Sequence, residues 1–165
     1  MMVYRRGDTG LIDKKLVDVS APNLISICVD DDPEGRQRIR FYSRYARDAV
    51  ILTDMNQLLI ESEQLMDRIG YPQTSTRGRS FSGTQQSTAK KGAERVRTAD
   101  EILNEVGKKA TFVVNVQYRQ NATWQGKVLW AETGKSCNFR SALELLKLID
   151  GALDEAEEGV PEKKE

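Results

Sequence analysis

The chain has 165 residues, 39% hydrophobic and 30% charged, with 25 basic and 25 acidic side chains and no histidine. This is the composition of a soluble protein of one domain or two small ones, and no apolar run approaches the ~20 residues of a membrane span. Without histidine the commonest general base and zinc ligand are missing, and two cysteines alone make no structural zinc site. The first fifteen residues lack the apolar core of a signal peptide, so a cytoplasmic location is expected.

In chain order, residues 1–22 are polar with little periodicity and predict a mobile or loosely docked arm. A first unit follows over 23–71. Ile25, Ile27 and Val29 alternate with Ser26 and Cys28 in a first strand, and Asp30 to Gly35 form a turn. A second strand alternates Ile39 and Phe41 against Arg38, Arg40 and Tyr42, and a third runs through Ala49 to Thr53. Asp54, with Gln57 three residues on, caps a helix through Leu58, Leu59, Ser62, Leu65 and Ile69, which Gly70 and Pro72 end.

Residues 72–97 are rich in Ser, Thr, Gln and Gly and carry Arg77, Arg79, Lys90, Lys91, Arg95 and Arg97. This stretch predicts a flexible basic linker. Thr98 and Glu101 form a capping box that opens a short helix through Ile102, Leu103 and Val106, stopped by Gly107. The second unit spans 98–153. Phe112, Val114, Val116 and Tyr118 would face a core, with Asn115, Gln117 and Arg119 opposite. After a turn at Gln120 to Thr123, Trp124, Val128 and Trp130 repeat the apolar face and Gln125 and Lys127 the polar one. Phe139 closes a short third strand, and Ser141 with Glu144 caps a helix carrying Leu145, Leu146, Ile149 and Leu153. Residues 154–165 predict an acidic tail that frays into solvent.

The two units share one plan: Leu52, Asp54, Leu58 and Leu59 recur 87 positions later as Phe139, Ser141, Leu145 and Leu146. The expected fold is α+β, two tandem βββα units forming an internal repeat, with antiparallel sheet and helices on one face. One pseudo-symmetric body is expected, with a homodimer completing an exposed sheet edge as the alternative. Cys28 and Cys137 are expected to be small buried apolar residues.

The densest polar and aromatic cluster is Arg119, Gln120, Asn121, Thr123, Trp124, Gln125 and Gly126. A hairpin tip presenting a guanidinium, amides and an indole would suit a base edge, a phosphate or a protein partner. The alternative is that Asn121 and Thr123 shape the turn, Trp124 belongs to the core and Gly126 marks a bulge. The polar sheet face adds Arg38, Arg40, Asn115, Gln117 and Lys127, a basic surface of the kind that meets nucleic acid, or else a solvated charged face. The carboxylates at Asp30 to Glu34 read as a turn rather than an acid and base pair or a calcium loop. No catalytic residue, metal site or cofactor is expected, and the chain is read as a non-enzyme.

Several resemblances rest on these residues. Gly126-Lys127, Phe139 and Ser141 resemble the three-strand-plus-helix DNA-binding domains of tyrosine recombinases, over the last third of the chain. The short helix at Thr98 followed by βββα is similar to a double-stranded-RNA-binding domain, though that family's lysine cluster is replaced by a single basic residue, Arg140. Asn121-x-Thr123-x-x-Gly126 resembles half of the cyclic-di-GMP-binding PilZ signature, whose arginine pair would have to come from Arg36 and Arg40. QYRQNATWQG followed by FRSALELLKLID is similar to small bacterial proteins of unassigned function that pair an N-terminal strand-and-helix unit with this C-terminal one, a resemblance that implies no activity. The expected function is a binding module for a macromolecular partner, a protein or a second copy, through Arg38, Arg40, Arg119, Gln120, Asn121, Trp124, Gln125 and Lys127. The alternatives are a nucleic-acid-binding regulator using the same face and linker, and cyclic dinucleotide binding.

Overall fold

The computed structural model describes residues 12–74, 81–82 and 93–158. It is an α+β fold: strands β1 (Ile25–Asp31), β2 (Gln37–Ser43) and β3 (Val50–Leu52), helices α1 (Met55–Ile69) and α2 (Ala99–Leu103), strands β4 (Ala110–Tyr118), β5 (Gln125–Trp130) and β6 (Lys135–Phe139), and helix α3 (Ala142–Glu158). The strands form one sheet in the order β3-β2-β1-β4-β5-β6, with every neighbouring pair antiparallel. The central seam is β1 against β4, where Ile27 lies opposite Phe112.

The helix limits follow from the capping chemistry. Asp54 accepts from the Gln57 amide at 2.9 Å and Gly70 closes α1 at φ 67, a left-handed conformation that glycine adopts without a Cβ clash. Thr98 caps α2 by accepting from the Glu101 amide, and Ser141 accepts from the Glu144 amide at the start of α3.

One face of the sheet carries the main core. Ile25, Ile27, Val29, Ile39, Phe41, Phe112, Val114, Val116 and Val128 meet Leu58, Leu65 and Met66 of α1 and Leu145, Ile149 and Leu153 of α3. The helices do not all lie on that face, however. On the outer face Ala99 and Leu103 of α2 pack with Ile12, Leu24, Val113, Leu129 and Ala131, and Ile102 packs on Cys28 and Tyr42. The cause lies in the outer-facing residues themselves. Cys28, Tyr42, Val113 and Leu129 are apolar enough to need cover, and α2 and residues 12–24 supply it.

Other expectations change for local reasons. The described part of the arm is docked: Asp13 caps a 3-10 turn over Lys14–Leu16, and Ile12 and Ala21 are buried. Helix α2 stops at Leu103 with Asn104 as its cap, leaving Val106 exposed. Helix α3 continues through Glu158, so the first residues assigned to the tail are helical. Residues 75–80, 83–92 and 159–165 lie outside the described residues, and with them Arg77, Arg79, Lys90 and Lys91. At the end of the same linker, the Val96 and Arg97 amides donate to the Arg44 carbonyl.

Candidate binding face

Three of the residues read as a polar strand face do come together. Asn115 lies opposite Lys127 across β4 and β5, and both line a pocket of about 300 Å³ with Gln117. Its floor is Val113 and Leu129, and its far wall is Lys15 to Asp18 from the N-terminal turn. Lys127 and Gln117 are exposed and Asn115 is half-buried. Neither Lys15 nor Lys127 makes an ion pair among the described residues, whereas Lys14 beside them pairs with Asp100. The pocket therefore combines two ammonium groups unpaired among the described residues, the Asp18 carboxylate and two amides that donate and accept, above Val113 and Leu129, which Ile12, Val17, Ala99 and Leu103 largely cover.

The remaining sequence candidates lie elsewhere. Arg119 is not presented at a tip: it is 3% exposed, its Nε and Nη2 donate to the Pro72 carbonyl at 2.8 and 2.6 Å, and its Nη1 reaches Glu63 at 3.2 Å and Asp67 at 2.7 Å. Trp124 is buried and its Nε1 donates to Glu63 Oε2 at 2.8 Å. Both side chains thus clasp the β4–β5 hairpin to α1. A β-bulge between Val116 and Tyr118 is the cause. It inserts one residue into β4, which turns Tyr118 outward, 55% exposed instead of in the core, and sends Arg119 inward.

Gln120 and Asn121 are exposed in a 3-10 turn where Asn121 adopts φ 56, and the Thr123 hydroxyl donates to the Arg140 carbonyl. Gln125 is exposed opposite Tyr118. Gly126 lies beside the bulge, and a Cβ there would stand 2.1 Å from the Asn115 carbonyl oxygen and 2.9 Å from Phe139 Cζ, so only glycine fits.

Arg40 is committed to a network under α2. Its Nε donates to Asp30 at 2.7 Å, Nη1 to the Tyr42 hydroxyl at 2.8 Å and Nη2 to the Val106 carbonyl at 2.8 Å. Glu105 stands 3.7 Å from its Nη1 and 3.4 Å from Arg97 Nη2, and both guanidiniums lie over the Tyr42 ring. Arg38 is exposed opposite Asp30. Because Val114 faces Ile25 across the seam, Arg38 and the Asn115–Lys127 pair are ~20 Å apart along the strand direction. Arg36, paired with Asp32 and Glu34, lies at that same far end.

Burial works against the Asp30 carboxylate, but hydrogen bonds from Arg40 and from the Lys108 amide outweigh it and hold its pKa below the ordinary value. A carboxyl with a depressed folded pKa adds stability above its unfolded value of about 3.9 and loses it as the pH falls through the folded one. Asp30→Asn is therefore expected to cost about 1–2 kcal/mol at neutral pH and to flatten the acid limb of melting temperature against pH. An unchanged acid limb would contradict the network's role. Burial pushes the Cys28 thiol up to about 12, with Arg40 acting in the opposite sense, so it is a neutral apolar residue. Cys137 is exposed on the edge strand β6, contrary to the expectation of burial.

A second cavity of about 260 Å³ lies on the core side between α3 and β5–β6, walled by Phe112, Val128, Trp130, Ile149 and Ala152. No group of three or more metal-ligating side chains occurs among the described residues, and none of their helices is long and apolar enough to cross a membrane. No protein-family model, curated protein or solved structure matches this chain.

Missed in the sequence were Lys15, the Leu16–Asp18 wall and the outward turn of Tyr118. The only local signal for the wall is the pair of Asp side chains that accept from amides two residues on, Asp13 from Lys15 and Asp18 from Ser20.

Proposed function

We propose that the chain is a non-enzymatic binding module that recognises a polypeptide partner through the outer face of β4 and β5, with Asn115, Gln117 and Lys127 as its polar contacts and Tyr118 beside them. The observation that carries this reading is the pocket itself. It concentrates two lysines that make no ion pair among the described residues and two side-chain amides on the part of the outer face that α2 and residues 12–24 leave uncovered. Amides and an aromatic next to a modest charge suit a protein surface. A nucleic-acid surface would need more free cations. Arg40, Arg97 and Arg119, three of the arginines that the alternative relied on, are already taken up by internal carboxylates and carbonyls.

The architecture behind this face is, in the same proposal, an internal repeat of two βββα units. Strand register supports it. Ile25 faces Ser43 across β1–β2, and Phe112 and Trp130, each 87 positions later, face each other across β4–β5. Ile39 faces Leu52 across β2–β3, and Gly126 and Phe139, again 87 positions later, pair across β5–β6. At the seam Ser26 pairs with Val113, its own counterpart at that offset, as an approximate two-fold axis through that pair requires. Up to the bulge at Val116 the two halves agree residue for residue in strand register.

The test is capture from the cell of origin with the purified full chain as bait, competed by excess untagged chain. Wild-type competitor and a Leu143→Glu variant, altered on exposed α3 surface, are expected to displace the same protease-sensitive species. Lys127→Glu is expected to compete at least tenfold less well. Equal competition by Lys127→Glu, or captured material sensitive to nuclease rather than protease, would contradict the proposal.

A further inference from the structure

Small residues meet where α3 crosses the β6 end of the sheet. Gly151 and Ala152 on the helix and Cys137 on the strand leave a cavity of about 260 Å³ between them. Strand register sets its sheet side: Cys137 lies opposite Val128 and Lys135 opposite Trp130, so all four side chains share the core face. Phe112 and Ile149 are closed off beneath the cavity. The walls that a ligand reaches are Trp130 and Leu148, both half-buried, and Gly151 and Cys137, both exposed. The space is open at the helix, where a Cβ on Gly151 would meet nothing within 4 Å. The volume is just under the roughly 300 Å³ at which small-molecule sites begin, so it suits a single ring or a short alkyl chain.

The polar groups around this space are mostly donors. Lys135 and Lys147 are exposed and make no ion pair among the described residues. Trp130 adds a third donor, because its Nε1 is buried with no acceptor among the described residues, where a buried N–H is ordinarily paired. Against these stands one carboxylate of the lining, Glu155, which lies ~12 Å from Lys147 along the α3 axis. Two ammoniums and one carboxylate leave the rim positive. We infer that this cavity is a binding site for a small amphipathic carboxylic acid, whose apolar body lies against Trp130 and Leu148 and whose carboxylate meets Lys147, away from Glu155. It is on the opposite face of β5 from the surface proposed for the polypeptide partner and shares no residue with it.

The probe is octanoate, titrated into the isotope-labelled full chain. The sequence has two tryptophans, so the Trp130 indole N–H reports on the cavity and that of Trp124, held by Glu63, is the internal reference. Octanoate is expected to shift the Trp130 resonance saturably, to leave Trp124 in place and to slow alkylation of Cys137. Cys28 is buried and does not compete for the reagent. Octanamide, with the same body and no charge, is expected to bind about fivefold more weakly, the worth of one partly solvated ion pair. Acetate, with the charge and no body, is expected to produce no shift. Lys147→Gln is expected to weaken octanoate by the same factor, while Glu155→Gln leaves binding equal or tighter. Gly151→Leu fills the space and is expected to abolish the shifts with an equal or higher melting temperature, since it also removes a glycine from a helix interior.

Equal binding of octanoate and octanamide, or of the wild type and Lys147→Gln, would overturn the inference by removing the head-group contact. Shifts of Trp124 that match those of Trp130, octanoate binding that survives Gly151→Leu, or no saturable shift below the micelle-forming concentration of octanoate would overturn it by removing the cavity as the site.

Discussion

Arg119→Ala is expected to lower the free energy of unfolding by about 3 kcal/mol, measured by urea denaturation of the full chain. The guanidinium is buried and all three of its nitrogens are engaged, with the Pro72 carbonyl and the carboxylates of Glu63 and Asp67. Removing it leaves a buried carbonyl without donors and two carboxylates facing each other. Those carboxylates are 45% and 33% exposed, so they partly rehydrate, which sets the loss at the lower end of the range for breaking a buried pair. Trp124→Phe removes the indole donation to Glu63 together with part of a buried ring, and is expected to cost about 1–2 kcal/mol. A loss below about 0.5 kcal/mol for Arg119→Ala, the size of an ordinary surface substitution, would return Arg119 to the surface as a free contact for a partner.

Gly107→Ala is expected to be comparably damaging, about 3 kcal/mol, for a steric reason. A Cβ at this position would stand 2.1 Å from the Ala110 carbonyl oxygen and 2.6 and 2.8 Å from the Val29 amide nitrogen and carbonyl oxygen. These are backbone atoms in the central strands, so relief requires movement of the β1–β4 seam and of the Gly107 amide bond to the Thr111 hydroxyl. Gly134→Ala is the contrast. It stands in open space at φ 68, and only its left-handed backbone resists a side chain, for about 1 kcal/mol. Equal midpoints for the two variants would mean that the chain does not pass over β1 as described.

Much of this was legible in the sequence because the signals are local. Alternation of Ile25, Ile27 and Val29 and of Phe112, Val114 and Val116 marks strands with one core face, and Asp54 with Gly70 brackets α1. Pairing of β1 with β4 was not legible, since it joins residues 81 to 89 positions apart and no local pattern encodes it. One bulge residue was enough to exchange the fates of Tyr118 and Arg119, because a shift of one position inverts every face beyond it. The outer face looked polar from Arg38, Arg40, Asn115, Gln117 and Lys127. Cys28, Tyr42, Val113 and Leu129 share that face, and these four bring α2 and the N-terminal segment onto it. Lys15 reaches the candidate site through a three-residue turn too short to leave a periodic signature.

The account stands most directly on which surface meets the partner. A photo-crosslinking amino acid at position 127, compared with one at position 143 on α3, reads this in the full chain. The account predicts a discrete, protease-sensitive adduct from position 127, abolished by excess wild-type chain and absent from position 143. Adducts from position 143 alone, or equal and non-competable labelling from both, would contradict it.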